Sequence, residues 1–423
     1  MRKILLSSYA ISPSKGSEFG VGWNFVVNLA QYNKVHLLYG VSGEYMGEVD
    51  EIENYLKNNP IENLSYYYVR PSFLARFFNY FNKLGFKGFF YFAFFCWQWS
   101  AFLVAKKIVK NQNIDLIHQL NPIGFREPGF LWLINKQFIW GPIGGAVFIN
   151  SNLLKKHPVS QKILFLIKNL ITFIQLKWGI RVRLAAKKAS ALIFSTDEVA
   201  KNFRSILGVK GYVLSQQGVD LELIKDFGKL KRNKKLQLVW AGRLEHIKNT
   251  KLIFEVLHYL QKLEFWELHI IGAGSQEQRL KEHTIKLGLG ENIIWHGYKP
   301  RMDVVRFMSA CDIQLLSNFS EANPTVLFDA MSAGLPTIAL NQNGIGRVIE
   351  PFFGLTVAVG TYEETVKAYA KTIDIFLNQP SKLIEYKKLV MANAAKYSWQ
   401  NISCDLIAIY NNNAVLNSTS EKV

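Results

Sequence analysis

Cysteine is scarce in this chain, and in its first half so are acidic residues. The three cysteines, Cys96, Cys311 and Cys404, are scattered singly, which excludes a disulfide framework and any cysteine-based metal spacing. No His or Asp cluster has metal-ligand spacing either, so no metal and no resident cofactor is expected. No zinc-finger, RRM or basic-zipper pattern occurs, and nucleic acid is not expected as a partner. The opening MRKILLSSYA turns polar after Leu6, too early for a secretory core, so the expected compartment is a reducing cytosol. Disorder is excluded by composition, with 49% hydrophobic and 19% charged residues. A chain of 423 residues has room for two or three domains with real cores.

The shortage of acid is local. Residues 1–212 hold 26 Lys and Arg against 11 Asp and Glu, whereas residues 213–423 hold 24 against 21. A basic half beside a nearly neutral one predicts that one domain faces something anionic, and a membrane surface or a phosphate-bearing lipid fits. The run from Gly88 to Ala105, GFFYFAFFCWQWSAFLVA, has no charge and is flanked by Lys87, Lys106 and Lys107. Its length reaches the lower edge of a membrane span. Gln98, Ser100 and the density of aromatics favour a core or interfacial helix instead. Ile163 to Trp178 carries Lys162, Lys168, Asn169, Thr172 and Gln175 along about one face. It fits a surface-binding basic amphipathic helix, or an ordinary domain helix with a solvated side.

In chain order, Lys3 to Ser8 reads as a buried parallel strand. It leads into the loop SPSKGSEFGVGW, with Gly16, Gly20 and Gly22, and a helix is expected from about Trp23 to Gln31. Glycines there let a backbone approach a ligand, although a plain tight turn would need them too. Strands follow at Lys34 to Tyr39 and Leu64 to Val69. Another spans Asp115 to His118, leaving His118 at a carboxyl end, where open α/β sheets bind ligands. Ile139 and Trp140 lead into GPIGGA, and Leu192 to Ser195 is a further strand. The hinge between domains is expected between Gly208 and the lysine run ending at Lys235.

The second half alternates strand and helix as a doubly wound parallel sheet. Its strands are Leu236 to Ala241, Glu267 to Ile271, Asn292 to Trp295, Asp312 to Leu316 and Thr337 to Leu340. The loop AGRLEHIKN sets Arg243 and Lys248 at the carboxyl edge of this sheet. Two cations before a helix N-terminus oppose its dipole, so an anionic ligand, a diphosphate by its charge, is expected between them. The loop IGAGS, with Gly272, would let a nucleotide approach. Ser320 to Pro336, SEANPTVLFDAMSAGLP, places Pro324 at a helix start, with Thr325 and Val326 supplying unpaired N–H groups to a phosphate. Glu321 precedes that helix and Asp329 lies inside it. Carboxylates flanking a phosphate-ready helix start point to a nucleotide-sugar.

Taken together, AGRLEHIKN, LHIIGAGS, IIWHGYKP and CDIQLLSNFSEANPTVLFDAMSAGLP resemble the nucleotide-binding domain of the retaining glycosyltransferases of family 4. SPSKGSEFGVGW, DLIHQLNPIGFREPGFLW and WGPIGG resemble a bacterial branch of that family linked to surface polysaccharides. YSWQNISCDLIAIY is similar to its terminal helix. The resemblance implies the α/β GT-B fold, with two Rossmann-like doubly wound domains facing a cleft and a C-terminal helix crossing back to the first. Boundaries are then expected at 1–212 for the acceptor-side domain, 213–397 for the donor-side domain and 398–423 for the returning helix and tail.

The resemblance also implies roles. Arg243 and Lys248 would hold the donor diphosphate, and Glu321 would lie near the transferred sugar. Asp329 would bind the ribose where the family has Glu, one methylene longer. His118 would approach the reacting sugar, and the Gly20–Gly22 loop would close over the phosphates. Gln217 stands where Asn is common. The implied reaction moves a sugar, with retention, from a nucleotide-sugar donor, a UDP-sugar rather than a GDP-sugar, to a lipid-linked or oligosaccharide acceptor. The expected location is the inner face of a cell membrane, peripherally attached to its anionic surface. The alternatives are a nucleotide-sugar epimerase and a non-catalytic glycosyltransferase-like subunit.

Overall fold

The computed structural model describes residues 1–155, 157–222, 235–321, 323–350 and 352–411. The chain forms two compact units that interleave along the sequence. The first holds Met1–Ala146, Thr172–Gln216 and the chain from Trp399, and the second holds Val147–Ile171 and Gln217–Ser398.

Among the described residues, the first unit is built on seven strands. They are β1 (Lys3–Ser8), β2 (Lys34–Tyr39), β3 (Leu64–Tyr68), β4 (Leu116–Asn121), β5 (Gln137–Ile143), β6 (Ala191–Phe194) and β7 (Tyr212–Val213), in the order β3-β2-β1-β4-β5-β6-β7. Every pairing is parallel. Runs such as ILL in β1 and HLLY in β2 are buried almost end to end, as a sheet covered on both faces requires. The helix Trp399–Tyr410 belongs to this unit. Its Trp399 ring packs on Phe25, with centroids 5.5 Å apart, and Arg2 donates to the Tyr410 carbonyl at 2.8 Å.

Among the described residues the second unit has six strands: β8 (Leu236–Ala241), β9 (Trp266–Ile271), β10 (Ile293–Trp295), β11 (Ile313–Leu316), β12 (Thr337–Asn341) and β13 (Gly354–Ala358). Their order is β10-β9-β8-β11-β12-β13, again all parallel. Both sheets therefore reverse strand order once, between β1 and β4 and between β8 and β11. Crevices at the carboxyl ends of strands beside such switch points are where α/β sheets bind ligands. Trp240, Leu268, Leu315 and Tyr369 fill the second core.

Three expectations are corrected here. The first domain is not one continuous stretch, because residues 147–171 pack with the second unit. Phe165 lies against Phe319 at 5.2 Å, and the Asn169 amide brackets both backbone groups of Ile149 at 2.9 Å. The first helix spans Ser17–Ala30, not Trp23 onward, so Gly20 and Gly22 are helical. The aromatic run is part of the longer helix Phe89–Gln112, which pairs with a helix not expected from the sequence, Phe73–Lys83. Residues 223–234 of the expected hinge and the tail from 412 lie outside the described residues.

Candidate active site

The site in the second unit grows from loops at the carboxyl ends of its strands. After β8 the chain turns through Gly242 and Arg243 to a short 3-10 turn, His246–Lys248, before the helix Thr250–Leu260. Phe319 N–H donates to the Ile247 carbonyl at 3.0 Å, and the Ser317 hydroxyl donates to the Lys248 carbonyl at 2.9 Å. These two bonds tie the loop after β11 to the loop after β8. They bring the Lys248 Nζ to 2.5 Å from Glu321 Oε2. Asn318 Nδ2 donates to the same carboxylate oxygen at 2.6 Å, and Gln342 donates to the Asn318 carbonyl at 2.6 Å. Glu321 is thus held by a charge and an amide, each fixed from behind.

Arg243 lies on the same loop as Lys248, exposed, close enough to Glu245 to help hold its carboxyl below the usual range. The larger cause of that lowering is Ser275, whose hydroxyl and N–H donate to Glu245 at 2.7 and 3.1 Å. Gly272 takes φ +140, and a Cβ there would sit 1.9 Å from the Gly242 carbonyl oxygen. Its N–H donates to the Gly297 carbonyl at 2.8 Å. The glycine is needed for loop-on-loop packing, a reason independent of any ligand.

Pro324 caps the helix Thr325–Ser332, with Thr325 and Val326 its first, half-buried residues. The first N–H groups of a helix have no acceptor within it. Thr325 Oγ1 accepts from Gln217 Nε2 at 3.0 Å, so the Gln in place of Asn supports this helix start. Asp329 is buried, and its Oδ1 accepts from Arg301 Nε and Nη2 at 2.9 and 2.7 Å. Burial raises the Asp329 pKa and the guanidinium opposes that rise. The carboxylate expected to meet a ribose is therefore engaged by an arginine that opens the helix Arg301–Ser309.

In the first unit, His118 departs from expectation. It lies in the middle of β4 and is fully buried. Its Nε2 is 2.6 Å from the Gly141 carbonyl oxygen, which only accepts, so that nitrogen carries the proton. Its Nδ1 then accepts from the Tyr410 hydroxyl at 2.6 Å. Burial lowers its pKa to about 4, with the Gly141 bond pulling the other way. Both nitrogens are spent on neighbours in the fold, which makes His118 a positioning group for β5 and the helix Trp399–Tyr410. Gly22 is likewise a packing residue, since a Cβ would lie 2.3 Å from Ser8 Oγ and 2.5 Å from the Ala10 carbonyl oxygen.

Sequence reasoning missed Glu18, Arg301 and Asn318. Glu18 Oε1 accepts Ile123 N–H at 2.5 Å, and its pKa is raised by burial, against that bond. Its signal was an acid in the first turn of a helix taken for loop. Arg301 follows Pro300 directly, a helix-start position at which a cation needs a reason.

Residues 223–395 match the family described as glycosyl transferases group 1. Over 125 residues the chain is 32% identical to the lipopolysaccharide 1,6-galactosyltransferase of Salmonella typhimurium, covering 28% of this chain and 34% of that protein. Over 122 residues it is 30% identical to the amylovoran biosynthesis glycosyltransferase AmsK of Erwinia amylovora, covering 27% and 30%. The matches thus span about a third of the length of these relatives. Among solved structures, Anabaena HepE in complex with UDP superposes with a TM-score of 0.61 at 14% identity, covering 97% of this chain and 100% of that one. The chain thus has the GT-B fold, and its residues 223–395 are similar to the glycosyl transferases group 1.

Proposed function

We propose that the protein is a retaining, family 4-type glycosyltransferase of bacterial surface-polysaccharide assembly. It moves a sugar from a nucleotide-sugar to a lipid-linked or saccharide acceptor. The observation that carries this reading is Lys248 fixed 2.5 Å from Glu321, on a loop shared with Arg243, where the helix Thr325–Ser332 begins. Breaking the bond from C1 to the diphosphate leaves cation-like charge on the sugar and negative charge on the leaving group. Arg243, Lys248 and the helix start answer the second, and Glu321 supports the first or binds the sugar. That HepE is solved with UDP and with UDP-glucose supports a UDP-sugar as donor. These cations take the place a metal would otherwise hold. Donor turnover over purified membranes tests the reading. Arg243→Ala and Lys248→Ala should each lower kcat/KM by about 100-fold or more, and unchanged transfer would remove the diphosphate assignment.

We also propose peripheral attachment to the inner face of a cell membrane. Phe73, Tyr80, Phe86, Tyr91, Phe92 and Trp99 stand exposed on the paired helices Phe73–Lys83 and Phe89–Gln112 and their connection. No Asp or Glu occurs from residue 63 to residue 114. Aromatics beside lysines suit the headgroup region. The longer helix is held as a core-side element, with Trp97 donating to the Val69 carbonyl at 2.9 Å and Gln98 accepting from Arg181 at 2.6 Å.

A second reading draws on the Arg301–Asp329 pair: a nucleotide-binding partner subunit without activity. It predicts UDP binding by calorimetry with no donor turnover under any acceptor.

A further inference from the structure

The helix Val159–Trp178 is turned inside out for a helix in water. Its polar residues Asn169, Thr172 and Gln175 recur every third position and face protein. Asn169 holds Ile149, while Thr172 accepts from the Arg126 guanidinium at 2.9 Å and Gln175 accepts from its Nε. The opposite stripe is aliphatic and exposed: Leu164 is 62% accessible and Leu170 58%, with Ile163, Ile167, Ile171 and Ile174 beside them. A surface helix normally buries its apolar stripe and solvates its polar one. The reversal means that a second apolar phase is missing from the isolated chain.

Charge says which phase. No Asp or Glu occurs from Pro128 to Thr196, and the helix carries Lys162, Lys168 and Lys177. Interfaces between protein copies are depleted in lysine and enriched in aromatics, whereas an aliphatic stripe on a helix whose only charges are cationic matches an anionic bilayer. A span would place Asn169, Thr172 and Gln175 in lipid, yet all three are already bonded to protein groups. We propose that Val159–Trp178 lies in the plane of an anionic bilayer, its aliphatic stripe at the acyl boundary and its lysines among the headgroups. This rests on the peripheral attachment proposed above and adds a second contacting element to the aromatic helices named there.

The test is co-sedimentation of the full chain with phosphatidylglycerol-containing vesicles and with phosphatidylcholine vesicles. The wild-type chain should partition to the anionic vesicles, and Ile167→Ser/Leu170→Ser/Ile174→Ser should lower that partitioning by about tenfold or more. The melting temperature and the thermal shift with UDP should stay as in the wild type, so loss of docking is separable from loss of donor binding. Brominated lipids should quench wild-type fluorescence more than that of Trp178→Phe. That comparison decides the matter should the triple variant fold poorly. Undiminished vesicle binding by a folded triple variant would overturn the proposal. So would a wild-type chain that ignores vesicles and forms a dimer dispersed by the same substitutions, which would make the stripe an interface between copies.

Discussion

Lys248 is the residue on which the proposed donor site turns, because its ammonium and the Glu321 carboxylate are both partly shielded and fixed by neighbours. Shielded pairs cost most when broken from one side. The same rule gives a prediction for Arg301. Arg301→Leu leaves the buried Asp329 carboxylate uncompensated and should destabilise the second unit by about 3–5 kcal/mol. The combined Arg301→Met/Asp329→Leu should recover much of that, and urea denaturation of the three proteins checks it. His118 makes a pH prediction. Unfolded, it takes up a proton near pH 6.5, but the fold refuses that proton until pH is about 4. Its neutral form therefore stabilises the fold above pH 6.5, and that contribution falls away as pH drops from 6.5 towards 4. The loss amounts to about 3 kcal/mol, since each pKa unit is worth about 1.4 kcal/mol. His118→Gln should flatten the stability profile across that window.

Elements with continuous apolar runs were legible. Lys3–Ser8, Lys34–Tyr39 and Leu236–Ala241 fall where their hydrophobic runs place them, because burial on both faces leaves little choice. The helix Ser17–Ala30 was not, since Gly20 and Gly22 lower helix propensity and read as loop. Tertiary packing overrides propensity there: Gly22 lets the helix meet the ends of β1 and β4. Gly22→Ala should therefore destabilise by about 1–3 kcal/mol despite its better helix propensity, measured as a shift in denaturant midpoint at constant m-value. At the proposed donor site, the position of the cationic loop and of the proline-led helix start was readable from spacing and charge. The partners of Asp329 and His118 were not, because Arg301 and Tyr410 are 28 and 292 positions away and only the fold brings them near. The polar stripe of Val159–Trp178 was visible as a pattern, but which side faces protein depends on Arg126 and Ile149.

At the scale of the whole molecule, two parallel sheets reverse strand order once each, the kind of place where α/β sheets bind ligands, and Arg243 and Lys248 of the proposed donor site belong to the second unit. The ligand proposed for that site, on its charge, is a nucleoside diphosphate. A donor nucleotide at about 100 times its Kd should stabilise the fold by about 2.7 kcal/mol, raising Tm more with UDP than with GDP. Calorimetric titration of UDP into the wild-type chain and Arg243→Ala/Lys248→Ala, both folded by circular dichroism, tests the central claim most directly. The wild type should bind, and the double variant should bind at least about 100-fold more weakly. Equal affinities would contradict the account.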